Sequence, residues 1–434
     1  MTVLHAYQVL ESQGWIISRP QSGYFVTQLD TTEAAGSAYS PVQLAETIDL
    51  NSFVYEVLQT GRDAAILPFA SAFPDPVLFP QQQIIRALTS ISRALKPGDA
   101  IHHLPPGNEL LRKIVAKRYA LQGMSISPDE IIITHGALEA LNFSLQAVSE
   151  PGDWIVVENP CFYGALQAVE RLNLKAVAIR RDAQHGIDLS ELEKALIRWP
   201  IKACWLMSNQ HNPLGTTLST EIKQQLVKLL EQHRVTLIED DAYSELYFDS
   251  HKPLPAKAFD ETGSVLHCSS FSKNLIAGFR VGWVVAGKFT QNIQRLQLMS
   301  TLSVSAPMQL ALVNYLQRYS YETHLRRLRR ALQKRVMAAR AALFRHLPAL
   351  IRITQPTGGY FLWVELPVGI NTTLLYYRLL PHNISIAPGA MFSSGQQYQH
   401  CFRFNASWEW GSEQERATEI MGQIVADMLN SPDC

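Results

Sequence analysis

Lys273 is the only charged residue in SSFSKNLIAGF, positions 269–279. An amine held among small and apolar side chains has a lowered pKa and is a better nucleophile. Arg280, seven residues on, offers a guanidinium for an anion. EDDAY at 239–243 supplies Asp240, Asp241 and Tyr243, which are two carboxylates and a phenol. NPLG at 212–215 supplies the Asn212 amide beside a proline turn. After the apolar run IIIT come Gly136, Ala137 and Leu138, a glycine turn opening a helix. A helix start there presents backbone N–H groups to an anion. Phe162 stands two residues after Pro160 and offers an aromatic face. Each feature also has a plain reading. A lone lysine is usually solvated, Asn-Pro-x-Gly is usually a turn, aspartates cap helices, Arg280 makes a surface ion pair and Phe162 is core.

Their placement argues for more. The runs IIIT, WIVVEN, ACWLMSN, VTLIEDD, VLHCSS and VGWVVAG are short and apolar, and helical stretches separate most of them. That alternation predicts a parallel or mixed sheet covered by helices. In such sheets ligands sit beyond the carboxyl ends of the strands, and five of these runs deliver a candidate group at that end. One ligand needs all of them. Pyridoxal phosphate needs a lysine amine for its aldehyde and a carboxylate for its pyridine nitrogen. It also needs an anion cradle for its phosphate, donors for its phenolic oxygen and a ring to stack on. A long basic helix at about 321–344 and strand signals in GGYFLWVEL and CFRFN predict a smaller α+β unit at the C-terminal end.

NPLG, EDDAY, SFSKNLIAGFRVGW and PTGGYFLWVEL occur in the order and spacing of a known family. Residues 67–434 resemble a fold type I pyridoxal-phosphate enzyme of the aspartate-aminotransferase superfamily, most closely the kynurenine/2-aminoadipate branch. The resemblance implies that Lys273 forms the Schiff base and that Asp240 pairs with the pyridine nitrogen, with Asp241 as the alternative. It implies that Tyr243 and Asn212 bond the phenolic oxygen and that Phe162 stacks on the ring. Ser270, Ser272 and Arg280, with the backbone of Gly136, Ala137 and Leu138, would hold the phosphate. Arg403 in CFRFN would fork onto a substrate α-carboxylate, and the family's subunit-interface site implies a homodimer. Three positions depart from the pattern. Ala137 and Leu138 replace a Ser-Gln pair that adds a phosphate donor. Phe162 stands where tyrosine is more usual. His102 stands where relatives place a tyrosine that reaches the neighbouring subunit.

The chain has 434 residues, 47% of them apolar, with 38 basic and 38 acidic side chains. Two or three structural units are expected. Zero net charge gives no global case for nucleic acid or membrane, and no apolar run approaches a membrane span. Five scattered cysteines without a C-x-x-C pair indicate neither a disulfide framework nor a zinc cluster, so the expected compartment is the cytoplasm. At the N-terminus, Val3, Ala6, Tyr7 and Leu10 fall on one helix face, with Gly14 as a stop. Two short strands, 15–18 and 24–27, flank the turn PQSG. This stretch resembles the recognition helix and wing of a GntR-type winged helix-turn-helix. With the linker behind it, it resembles the MocR regulator plan. Residues 1–27 are thus expected to be a partial winged module, 28–66 a linker, 67–320 the cofactor-binding domain and 321–434 the small domain. With only Arg19 to neutralise phosphates, DNA is expected as a partner only where the winged domain is complete. The first reading is a MocR-like protein that senses or transaminates an amino acid or amine. The second is a free-standing 2-aminoadipate/kynurenine-type aminotransferase with 2-oxoglutarate as acceptor and a vestigial DNA-binding segment.

Overall fold

The computed structural model describes residues 16–19, 23–26, 50–96, 98 and 104–430. The helix expected over 3–10, the linker up to 49, His102 and Cys434 lie outside the described residues. Strands β1 (Ile16–Arg19) and β2 (Gly23–Val26) form an antiparallel hairpin with Ile16 opposite Val26, within a residue of the expected strands. The helix Leu50–Thr60 follows and buries Val54 and Val57, whose three-residue spacing puts them on one face. After it comes the short strand β3 (Leu67–Pro68).

An eight-stranded sheet carries the site. In chain order its strands are β4 (Ile131–Thr134), β5 (Trp154–Asn159), β6 (Lys175–Asp182), β7 (Gly186–Ile187), β8 (Ile201–Leu206), β9 (Thr236–Asp240), β10 (Val265–Ser270) and β11 (Gly282–Val285). Their spatial order is β4-β11-β10-β9-β8-β5-β6-β7. The run from β10 through β9, β8 and β5 to β6 is parallel, while β11 and β7 are antiparallel to their neighbours. Alternate residues of one strand enter opposite cores, which explains the unbroken apolar runs. Leu266, Ile238 and Trp205 pack with Leu141 and Leu145 of the helix Ala137–Val148. Their neighbours Val265, Leu237 and Cys204 pack with Leu192 and Leu226 of the helices Leu189–Arg198 and Thr220–Gln232 on the other face.

The C-terminal unit is α+β. Strands β12 (Arg352–Ile353), β13 (Phe361–Glu365), β15 (Ala387–Pro388) and β16 (Cys401–Asn405) form an antiparallel sheet ordered β12-β13-β16-β15. It packs with the helices Tyr321–His346 and Ser412–Asn430. Strand β14 (Ile384–Ser385) pairs in parallel with β3, so the chain is tied to this unit before it enters the large sheet. Among the described residues no helix is long and apolar enough to cross a membrane.

Candidate active site

The carboxyl ends of β4, β5, β8, β9 and β10 open on one region, and the candidate residues follow them there. Asp240 closes β9, Ser270 closes β10 and Lys273 comes three residues later. Gly136 follows β4, Phe162 follows β5 and Asn212 follows β8. Lys273 Nζ donates to the carbonyl of Ala72 at 2.8 Å. It lies 3.9 Å from the Phe73 ring centre and 5.7 Å from that of Tyr243. Burial, helped by the positive charges of Arg403 and Arg280 and opposed by Asp240, lowers its pKa to about 7. Near neutrality much of this amine is therefore unprotonated. Burial also raises the Asp240 carboxyl to about 7, with Asp241 adding to the rise. The Asp240 carboxylate accepts from the backbone N–H of Ala242 at 3.3 Å. Asp241 is committed elsewhere. Its Oδ1 accepts from Asn209 Nδ2 at 3.0 Å and its Oδ2 lies 3.0 Å from His267 Nε2. Burial pushes the Asp241 carboxyl up, but the bonded His267 outweighs it and holds that carboxyl below its usual value. His267 is held in turn by Tyr119, whose hydroxyl lies 2.8 Å from Nδ1.

At the other end of the site, the helix Ala137–Val148 starts without a side-chain cap. Gly136 precedes it at φ 86°, in the region that favours glycine. A Cβ there would lie 2.9 Å from Arg280 Nη2, so the guanidinium can lie directly against the helix start. Arg280 Nη1 donates to Ser272 Oγ at 3.2 Å, and the Ser272 N–H donates to Ser270 Oγ at 3.3 Å. Uncapped helix N–H groups, two hydroxyls and a guanidinium make a cradle for a dianion. Leu138 is partly exposed, and neither it nor Ala137 has a polar side chain, so these two bring only their backbone to the cradle.

Arg403 reaches the site from β16 and is fully buried. Nη1 donates to Asn212 Oδ1 at 2.9 Å and Nη2 to the Ala70 carbonyl at 2.6 Å, and Nε has no acceptor among the described residues. Among the described residues no carboxylate pairs with it. A buried cation satisfied only by neutral oxygens is ready for an anion. The Phe361 and Phe392 rings lie 4.3 and 5.1 Å from it. Tyr163 connects Phe162 to this group. Its ring centre is 4.7 Å from that of Phe162 and 6.2 Å from that of Phe392.

A buried ion pair fastens the loop that carries Asn212. Glu158 and Arg181 bond each other, the Met207 N–H donates to Glu158 at 2.8 Å, and Arg181 donates to the Met207 carbonyl. His211 Nε2 lies 3.3 Å from Glu158. Burial alone would raise Glu158, but Arg181 and His211 hold it down to about 2. Burial, assisted by Arg181 and opposed by Glu158, depresses His211 to about 4. Arg181→Ala leaves the Glu158 charge buried and unpaired, and chemical denaturation should read a loss on the order of 3–5 kcal/mol. Acid acts on the same cluster. Between pH 6.5 and about 4, the unfolded chain protonates His211 while the folded one does not. From 4.5 down to about 2, the same holds for Glu158. The unfolded state binds more protons in both windows, so stability falls as the pH drops through them. Asp240, raised to about 7, acts with the opposite sign between about 7 and 3.8. The His211 share is therefore read by difference: the wild-type melting midpoint should fall relative to that of His211→Asn as the pH drops from about 6.5 to about 4.

Two contributors were missed from the sequence. Tyr360 is fully buried, its ring centre 5.8 Å from that of Tyr243, and its hydroxyl donates to Ala72 O at 2.8 Å. Its signal was the tyrosine after the double glycine of PTGGYF. Phe73 had only the small-residue run ASAF between prolines to mark it.

The family model for aminotransferase class I and II matches residues 78–409. The HTH-type transcriptional regulator YdcR of Escherichia coli (strain K12) is 57% identical over 99% of this chain and 92% of its own length. YjiR, an HTH-type transcriptional regulator of the same organism, is 32% identical over 98% and 90%. Among solved structures, the chain is similar to LysN, an alpha-aminoadipate aminotransferase of Thermus thermophilus complexed with N-(5'-phosphopyridoxyl)-L-leucine. The TM-score is 0.79 at 27% identity, covering 87% of this chain and 95% of that one. The chain thus belongs to the aminotransferase class I and II family and stands there with HTH-type transcriptional regulators that follow the MocR-type plan.

Proposed function

We propose that this site binds pyridoxal phosphate and takes an amino acid or amine, which the protein senses or transaminates as a MocR-like regulator. The observation that carries the reading is the Lys273 amine just past the carboxyl end of β10, directed to Ala72 O at 2.8 Å, with Asp240 closing the neighbouring parallel strand β9. The donor set fits the cofactor. The Gly136 turn leaves room for Arg280 at an uncapped helix start, and the buried Asp240 carboxyl has no cationic side chain bonded to it among the described residues. When bound, the cofactor supplies an aldehyde and a ring able to store electrons from the amino carbon.

The chain's own residues do the rest. Lys273 presents the nucleophilic amine and, once displaced, carries a proton to and from the amino carbon. Asp240 holds the proton on the pyridine nitrogen; Asp241 is the weaker choice because both its oxygens are engaged. Tyr243 and Asn212 donate to the phenolic oxygen, and Phe162 covers a ring face. Ser270, Ser272, Arg280 and the backbone of Gly136, Ala137 and Leu138 hold the phosphate. Arg403 and Asn212 receive the α-carboxylate. With the amine near pKa 7, the rate of cofactor uptake should rise from about pH 6 to about 8 and level off above, as stopped-flow absorbance would read.

The same reading makes the protein a homodimer in the cytoplasm, with residues 1–27 serving DNA where the winged domain is complete. Light scattering should give twice the chain mass, and a monodisperse, cofactor-loaded monomer would count against the dimer. The second reading, a free-standing aminotransferase, is favoured by the presence of every side chain that proton transfer needs. Full turnover of amino donors with 2-oxoglutarate would support it. A bound ligand that never leaves as a keto acid, with a specific DNA shift, would support the regulator.

A further inference from the structure

Residues 69–75 cross the site as a strap, and site residues hold its carbonyl oxygens. Arg403 Nη2 holds Ala70 O at 2.6 Å. Lys273 Nζ and the Tyr360 hydroxyl hold Ala72 O, each at 2.8 Å. Asn405 Nδ2 holds Ser71 O and Phe73 O at 2.9 and 2.7 Å. Asp75 anchors the end of the strap to Arg335 at 2.8 Å. So fixed, the strap turns two things toward the reactive amine: the negative end of the Ala72 carbonyl dipole and the Phe73 ring, whose centre is 3.9 Å away. Phe73 is 45% exposed although it is a large apolar side chain in the middle of the site.

The charges around it are few. Those acting on Lys273 are Arg403, Arg280 and Asp240, and the titratable groups acting on Arg403 are three tyrosines. The proposed function uses every one of these charges: the amine for the cofactor, Asp240 for its ring nitrogen, Arg280 for its phosphate and Arg403 for one carboxylate. Arg335, the cation at the end of the strap, is already paired with Asp75 and bonded to Ser407 O, and among the described residues no cation besides these is bonded to the strap to receive a second carboxylate. An anionic side chain placed there would lose water and meet carbonyl oxygens and the negative face of an aromatic ring. An apolar side chain would instead cover the Phe73 ring and gain from its burial.

We infer that the ligand of this site is an α-amino acid with one carboxylate and an uncharged apolar or aromatic side chain, and that Phe73 is the residue that reads that side chain. The inference rests on the proposed function, because it assigns Arg403 and the amine as that reading does. It also separates this chain's ligand from dicarboxylic amino acids such as 2-aminoadipate.

The test is a titration of the full-length, pyridoxal-phosphate-loaded protein, followed by the change in the cofactor's visible absorption. The ligands are L-phenylalanine, L-leucine, L-alanine, L-glutamate, L-2-aminoadipate and 2-phenylethylamine. Phenylalanine or leucine should bind roughly tenfold or more tightly than either dicarboxylate. Phenylalanine should also outbind 2-phenylethylamine, which lacks the carboxylate. Phe73→Ala should weaken phenylalanine at least about fivefold more than it weakens alanine, since only the larger side chain reaches the ring. A general disturbance of the site would weaken both alike. Any of four results overturns the inference: a dicarboxylate saturating at equal or lower concentration, 2-phenylethylamine binding as well as phenylalanine, Phe73→Ala weakening phenylalanine and alanine equally, or no amino acid changing the band. If the protein takes up no cofactor at all, the proposed function itself fails and this inference falls with it.

Discussion

Lys273→Ala abolishes the visible absorption band that the wild-type protein acquires with pyridoxal phosphate. The band requires a covalent link, and among the described residues the candidate site offers the Lys273 amine for it. Lys273 is half-buried by position rather than by chance. It follows β10 in a run with no other charge, its Nζ is directed to Ala72 O, and burial with two neighbouring cations has already weakened its hold on a proton. Alanine removes the nucleophile and leaves the phosphate cradle of Arg280, Ser272 and the helix start untouched. The variant should therefore still bind the cofactor, more weakly and with the spectrum of the free aldehyde. Absorbance and equilibrium dialysis together separate loss of the link from loss of the site. A variant that keeps the band would move the assignment to another lysine.

Arg403→Gln weakens an amino acid ligand roughly 100-fold, because a charge-assisted, two-pronged contact with the α-carboxylate is lost. An amine without a carboxylate should bind the variant as well as it binds the wild type, which distinguishes the lost contact from a collapsed site. The same substitution should leave the melting temperature of the ligand-free protein unchanged or higher. Arg403 is buried against Asn212, Ala70 and two aromatic rings with no anion paired to it among the described residues, so its charge costs stability until a ligand arrives. A large fall in the melting temperature together with lost affinity would mean that Arg403 is structural.

The large sheet was legible in the sequence because strands buried on both faces read as unbroken apolar runs, and helices between them leave little choice of connection. That β11 runs antiparallel was not legible, since VGWVVAG has the same composition as its parallel neighbours. The candidate residues at the strand ends stood out because each chemical type stands alone in a distinctive loop. Asp240 and Asp241 could not be separated from adjacent letters. Only the partners do that, since His267 and Asn209 claim Asp241 and leave Asp240 with a backbone N–H. The strap was invisible for a different reason. Its carbonyls act as backbone and not as residue types, and they meet Arg403, Asn405 and Lys273 from 201 to 334 positions away. Contacts of that range come from the β3–β14 pairing that ties the strap's start to the C-terminal unit. No local pattern encodes them.

Everything proposed for the site turns on Lys273 being the amine that holds the cofactor. The most direct measurement loads the protein with pyridoxal phosphate, reduces the link with borohydride, digests the product and maps the modified lysine by mass spectrometry. A single major adduct on the peptide containing Lys273 is expected. An adduct on a different lysine, or none after verified loading, would contradict the assignment.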